Sequence, residues 1–149
     1  MKSLLIPLLL LELAGSSPVL SRETLSGPIA AELVRVVDGD TLAVRALIWP
    51  GQHIDIKVRL ADIDAPELYR PSCTRERDRA RAARNFLVQR TGNTVTLRAV
   101  HLGKYAGRVV ARVQTDKGED LSILLLQAGL ARPMHDRTGW CSKDSEGQG

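Results

Sequence analysis

Two turn signals decide most of what the first half of this chain can become. Asp38-Gly39 interrupts the apolar stretch IAAELVRVV, residues 29–37, and Trp49-Pro50-Gly51 separates a second run, Thr41 to Ala46, from a third, about His53 to Ala61. Turn residues of this kind reverse the chain within a few positions. Three runs joined so tightly must lie antiparallel to their sequence neighbours, so a three-strand meander is expected. In the third run Ile56, Val58 and Leu60 alternate with Lys57 and Arg59 as a half-buried strand requires. The first run alternates inconsistently.

The pattern then changes period. Ser72 or Thr74 can cap a helix, Glu76 falls in its first turn, and Ala80, Ala83 and Leu87 repeat at helical spacing until Thr91-Gly92-Asn93. Val95, Leu97 and Val100 carry a fourth strand, Val109 to Val113 a fifth. After the turn at Asp116-Lys117-Gly118, Asp120 or Ser122 opens a short helix through Ala128, stopped by Gly129. No repeat recurs, and 149 residues hold one domain with a real core. Aromatic residues are only 3%, so that core must be built from Leu, Val, Ile and Ala. Three strands, a helix, two strands and a helix make an α+β, mainly β chain. That order is how a five-stranded, partly open barrel of the OB type is written.

Where the third strand ends, RLADIDAPE (59–67) crowds Asp62, Asp64 and Glu67 into six residues. Bunched carboxylates need a cation, a shared proton or open water. Taken alone, Asp38-Gly39-Asp40-Thr41 is a capped hairpin turn and Asp64-Ala65-Pro66-Glu67 an acidic loop. Taken together, Asp40 and Asp64 can converge from neighbouring strands on one hard cation, with waters completing its shell. Lys104-Tyr105-Ala106-Gly107-Arg108 precedes the fifth strand. Arg59 and Arg108 beside such a cation would suit a phosphodiester reaction, because guanidinium forks match phosphate oxygens. The formal charge of +4 is compatible with an anionic partner. Arg75, Arg77, Arg79, Arg81 and Arg84 spread around the first helix, which reads as a solvated helix with Glu76 and Asp78 among its acidic partners.

DGDT, RLADIDAPE and KYAGR, in that order and at these separations, resemble the staphylococcal nuclease (thermonuclease) family over about residues 29–132. The resemblance implies an OB-type barrel and calcium-dependent cleavage of DNA and RNA at the P–O5′ bond, leaving a 3′-phosphate. It assigns Asp40 and Asp64 as calcium-binding carboxylates and Ala65 as a backbone-carbonyl ligand. Glu67 becomes the general base or orienter of the attacking water, Arg59 and Arg108 the phosphate-binding arginines, and Lys104 and Tyr105 substrate contacts. DNA and RNA are the implied partners; no stable protein partner is implied, and a monomer is expected.

The chain departs from the family in three places. One extra residue, within Ala106-Gly107, precedes Arg108. Arg132-Pro133-Met134-His135 stands where members place nucleotide-contacting tyrosines; His135 reads first as an exposed loop histidine, the alternative being a partial substitute for them. The family's longer C-terminal helix is absent or replaced after Trp140. A catalytically weak nucleic-acid-binding module on the same barrel is therefore the alternative to an enzyme.

Met1-Lys2, the apolar run Leu4 to Leu11 and the small residues Ala14 to Ser17 read as a signal peptide over 1–21, or as an uncleaved anchor. The protein is thus expected to be periplasmic or secreted. In that setting Cys73 and Cys141 suggest a disulfide, stapling the short C-terminal end. The domain is expected over 28–141, followed by a disordered polar tail at 142–149.

Overall fold

A computed structural model describes residues 23–141. The expected leader and the tail at 142–149 lie outside the described residues. The elements are β1 (Thr24–Leu25), β2 (Ile29–Val36), β3 (Thr41–Trp49), β4 (Gln52–Leu60), β5 (Ile63–Asp64), α1 (Thr74–Arg90), β6 (Thr94–Leu102), β7 (Arg108–Gln114), α2 (Leu121–Gln127) and β8 (Arg132–Pro133).

The meander forms as its turns require: β2 pairs with β3 and β3 with β4, both antiparallel. Gly51 takes a φ of +75° in the second turn, a conformation open to glycine at little cost. β6 pairs with both β2 and β7, and β7 lies parallel to β4, which closes a five-stranded mixed barrel of the expected OB type. The parallel contact is possible because α1 and β6 supply the crossover that a hairpin cannot. β1 already pairs with β6 ahead of residue 28.

The inconsistent alternation of the first run has a physical cause. The β2–β3 register shifts between Leu33 and Arg35, so the burial phase moves from Ala31 and Leu33 to Val36, and Val34 is turned outward, 59% exposed. A second shift lies in β6 between Arg98 and His101, around Ala99 with its φ of +51°. One extra residue in a strand bends it and tightens the local twist that a small barrel needs.

The largest fully buried side chains are aliphatic, Leu42, Leu60, Ile63, Leu87, Leu97, Leu121 and Leu125 among them. α1 seals one end of the barrel with Ala80, Ala83 and Leu87. Its N-cap is neither Ser72 nor Thr74 but Cys73, whose sulfur accepts the Glu76 N–H at 3.4 Å. Asp120 caps α2 through the N–H groups of Ser122 and Ile123. The buried Ser122 hydroxyl donates to the Ala61 carbonyl at 2.9 Å, docking α2 against the end of β4.

Leu42 follows the first turn and is wholly buried in this aliphatic core. Leu42→Ala is expected to lower unfolding free energy by about 2–5 kcal/mol, the range for buried leucine truncation. Urea denaturation would show a midpoint shift without a change in slope.

Candidate functional site

The first turn is built for close approach. Gly39 sits against α1 and the loop after β5, where an added Cβ would lie 2.8 Å from the Ala83 Cβ and 3.0 Å from the Ala65 Cβ. Only a residue without a side chain lets the turn nest there, and that nesting carries Asp40 beside Ala65. The Ala65 N–H points at Asp40 Oδ2, 3.4 Å away. Asp40 is 5% exposed; Thr41 Oγ1 donates to its Oδ1 at 2.9 Å, and its own N–H donates to Asp38 Oδ1 at 3.1 Å.

Arg59, on β4 opposite Thr41, ties the acids together. Its Nη1 donates to Asp40 Oδ2, while Nη2 donates to Asp64 Oδ1 at 3.0 Å and to the Ile63 carbonyl at 3.3 Å. Burial pushes the Asp40 carboxyl above its ordinary range; the Arg59 charge opposes this, and the Asp38 charge adds to it. Asp62 is turned away by its φ of +65° and pairs instead with Arg112 at 2.7 Å, so it takes no part in the cluster.

Glu67 lies on the loop between β5 and α1. Its Oε1 accepts the N–H groups of Tyr69 at 2.8 Å and Arg70 at 3.4 Å, and Tyr69 Oη reaches the Val37 carbonyl at 3.1 Å. Glu76, expected as a surface partner for arginines, is buried instead. Its Oε1 accepts the Glu67 N–H at 3.1 Å and its Oε2 the Ser72 N–H at 2.6 Å, so it organises the loop that carries Glu67. Only its place in the first helical turn hinted at this. Behind the same loop Cys73 and Cys141 form a disulfide.

Arg108 arrives from the opposite side at the start of β7, paired in register with Lys57. In the 103–107 turn before it Gly107 has a φ of +75°, and the Gly103 N–H closes that turn on the Arg108 carbonyl at 3.0 Å. Lys104 and Arg108 flank the Tyr105 ring at 5.8 and 5.4 Å. Arg108 Nε is buried and has no hydrogen-bond partner.

These groups share one polar cleft of about 120 Å³, lined by Asp38, Asp40, Arg59, Asp64, Glu67 and Arg108 with Thr41, Ala65, Pro66 and Leu68. Its four carboxylates outnumber its two guanidiniums, an excess that one divalent cation would balance. The donors are oxygens, the choice of a hard cation, and the cleft has room for waters in its shell. Among the described residues no three His, Cys, Asp or Glu side chains form a ready metal cluster. The arrangement fits a shallow, water-rich, two-carboxylate site.

A protein-family model for staphylococcal nuclease homologues matches residues 57–146, more than half of the chain. The chain belongs to that family. The matched stretch carries Arg59, Asp64, Glu67 and Arg108 but begins after the Asp38–Thr41 turn; the barrel itself brings Asp40 to the others. No curated protein matches the chain. The family makes it a nuclease-type, nucleic-acid-binding module.

Two tests follow from this geometry. Gly39→Ala should destabilise the fold by about 1–3 kcal/mol through overpacking against Ala83, lowering the melting temperature. Side-chain NMR of the metal-free chain should give Asp40 a midpoint above 3.8. Because the folded state then holds this proton more tightly, Asp40's contribution to stability is lost as pH rises from 3.8 through the raised midpoint.

Proposed function

We propose that the chain is a calcium-dependent nuclease that hydrolyses phosphodiester bonds of DNA and RNA. The observation that supports this most is Arg108, a guanidinium with a buried, unpartnered N–H on the wall of the Asp40–Arg59–Asp64–Glu67 cleft. A buried unmet donor costs about 1–3 kcal/mol, which an anionic oxygen in the cleft would offset. Within this reading Arg59 and Arg108 bind the scissile phosphate from two sides and stabilise the charge that grows in the transition state. Lys104 and Tyr105 hold the adjoining strand. Asp40, Asp64 and the Ala65 carbonyl would hold calcium, which when bound neutralises phosphate charge and makes a bound water more acidic.

Glu67 orients and deprotonates the attacking water. Its position rests on the backbone N–H groups at its Oε1 and on Glu76 beneath its own N–H. Attack of the water oxygen at phosphorus with cleavage of the P–O5′ bond would leave a 3′-phosphate, and the departing O5′ would take up a proton from solvent to become a 5′-hydroxyl. The expected export would place the protein in an oxidising compartment, in keeping with the Cys73–Cys141 disulfide.

Digestion of denatured DNA and of RNA, with calcium or with a chelator, tests the reading. Calcium-dependent fragments ending in 3′-phosphate are expected. Glu67→Gln should lower kcat by about 10²–10⁴-fold, the usual contribution of a general base, while leaving oligonucleotide affinity unchanged. Oligonucleotide binding without cleavage by the wild-type chain would make it a binding module instead.

A further inference from the structure

Arg108 lines two hollows. One is the polar cleft; the other is a groove of about 620 Å³ over β2, β3 and β4, walled by the segment Tyr105 to Arg108. Val34, Ala43 and Ile56 give the groove apolar surface, and Lys57 stands on it. Its size is that of a small-molecule site. We propose that it is a nucleobase subsite, into which a single-stranded substrate continues from the phosphate at Arg108. The proposal rests on the nuclease reading and extends it to the path of the strand.

Four observations carry it. Val34 is apolar yet 59% exposed, because the shift in β2 pairing turns it outward; bulges beside functional sites commonly re-aim a side chain. Tyr105 is 63% exposed in a chain with only five aromatic residues, so its ring is not spent on the core. Lys104 and Arg108 beside that ring put positive charge where the phosphates flanking a stacked base would lie. Asp55, the acidic group on the groove, is held by Arg45 through contacts of 2.9 and 3.2 Å, so its charge is matched.

The other direction offers less. Beyond Ala131 the rings are the exposed imidazole of His135 and the indole of Trp140, which the Arg132 guanidinium covers at 3.9 Å.

The test uses the full chain with calcium and short single-stranded oligonucleotides containing one hydrolysable phosphodiester. Flanking bases are present in one set and replaced by abasic sugars in the other. Tyr105→Ala and Val34→Ser should each raise KM about 5- to 100-fold, the loss of one stacked base, with kcat changing far less. The effect should vanish on abasic substrates, and Tyr105→Phe, which keeps the ring, should restore KM. Both positions are exposed, so melting temperatures should match the wild type. Wild-type KM in the groove variants, or a KM rise on His135→Ala instead, would overturn the proposal. Should the wild-type chain not cleave, the nuclease reading fails separately and anisotropy with a labelled oligonucleotide decides the groove. Weaker binding by the groove variants would uphold it; equal or absent binding would overturn it.

Discussion

The Arg59 fork is the interaction on which the rest of the site depends. One guanidinium joins the first turn, through Asp40, to the segment after β4, through Asp64 and the Ile63 carbonyl. Asp40 is buried, and a buried carboxylate deprived of its partner typically costs 3–5 kcal/mol. Arg59 therefore has two inseparable duties. It makes the acidic turn compatible with a folded barrel, and it presents a cation at the cleft. Loss of activity on replacing it would not distinguish these duties, whereas Glu67 and Arg108 lie outside the ion pair. Three carboxylates besides Asp40 still face the cleft. The fold thus tolerates an acidic excess, with the buried Asp40 carboxyl itself pushed above its ordinary range.

Behind Glu67 lies a second arrangement that stiffens its loop. Glu76 holds the N–H groups at both ends of the 67–72 segment, Tyr69 anchors its middle to the end of β2, and Cys73 fixes its exit as the cap of α1. Glu76 also sits in the first turn of α1, where the N-terminal backbone dipoles favour an anion. A side chain on a loop keeps a fixed position only where the backbone that carries it is held. Here that support comes from Glu76, nine residues away in sequence from Glu67.

The barrel was legible because its punctuation is local. Asp38-Gly39 and Pro50-Gly51 each enforce a reversal, and the change from two-residue to helical spacing after Pro71 separates meander from helix. The bulge in β2 was visible only as a failed alternation, since nothing in LVRVV marks which residue is extra. The parallel contact of β4 with β7 leaves no sequence trace, because it follows from where α1 and β6 return the chain. At the site, Asp40, Arg59, Asp64, Glu67 and Arg108 could be named from three motifs. Glu76 could not: among the arginines of α1 an inward glutamate and a solvated one are spelled alike. Asp62 was equally ambiguous until its backbone conformation and Arg112 settled its direction.

The end of the described chain shows what replaced the expected aromatic contacts. β8 pairs with β5, matching Asp64 to Arg132, and the Met134 N–H donates to the Asp62 carbonyl at 3.0 Å. Arg132 stacks on Trp140 and donates to the Gly139 carbonyl at 2.9 Å, and Cys141 then joins Cys73. The segment is committed to holding the Asp64 strand and the base of α1 together. A cross-link over a sequence separation of 68 restricts the unfolded chain by about 4 kcal/mol in the chain-entropy model, a large fraction of a small domain's stability. That closure leaves the Trp140 indole occupied and His135 as the exposed ring of the 132–140 stretch. Tyr105, by contrast, stands 63% exposed and free of the core.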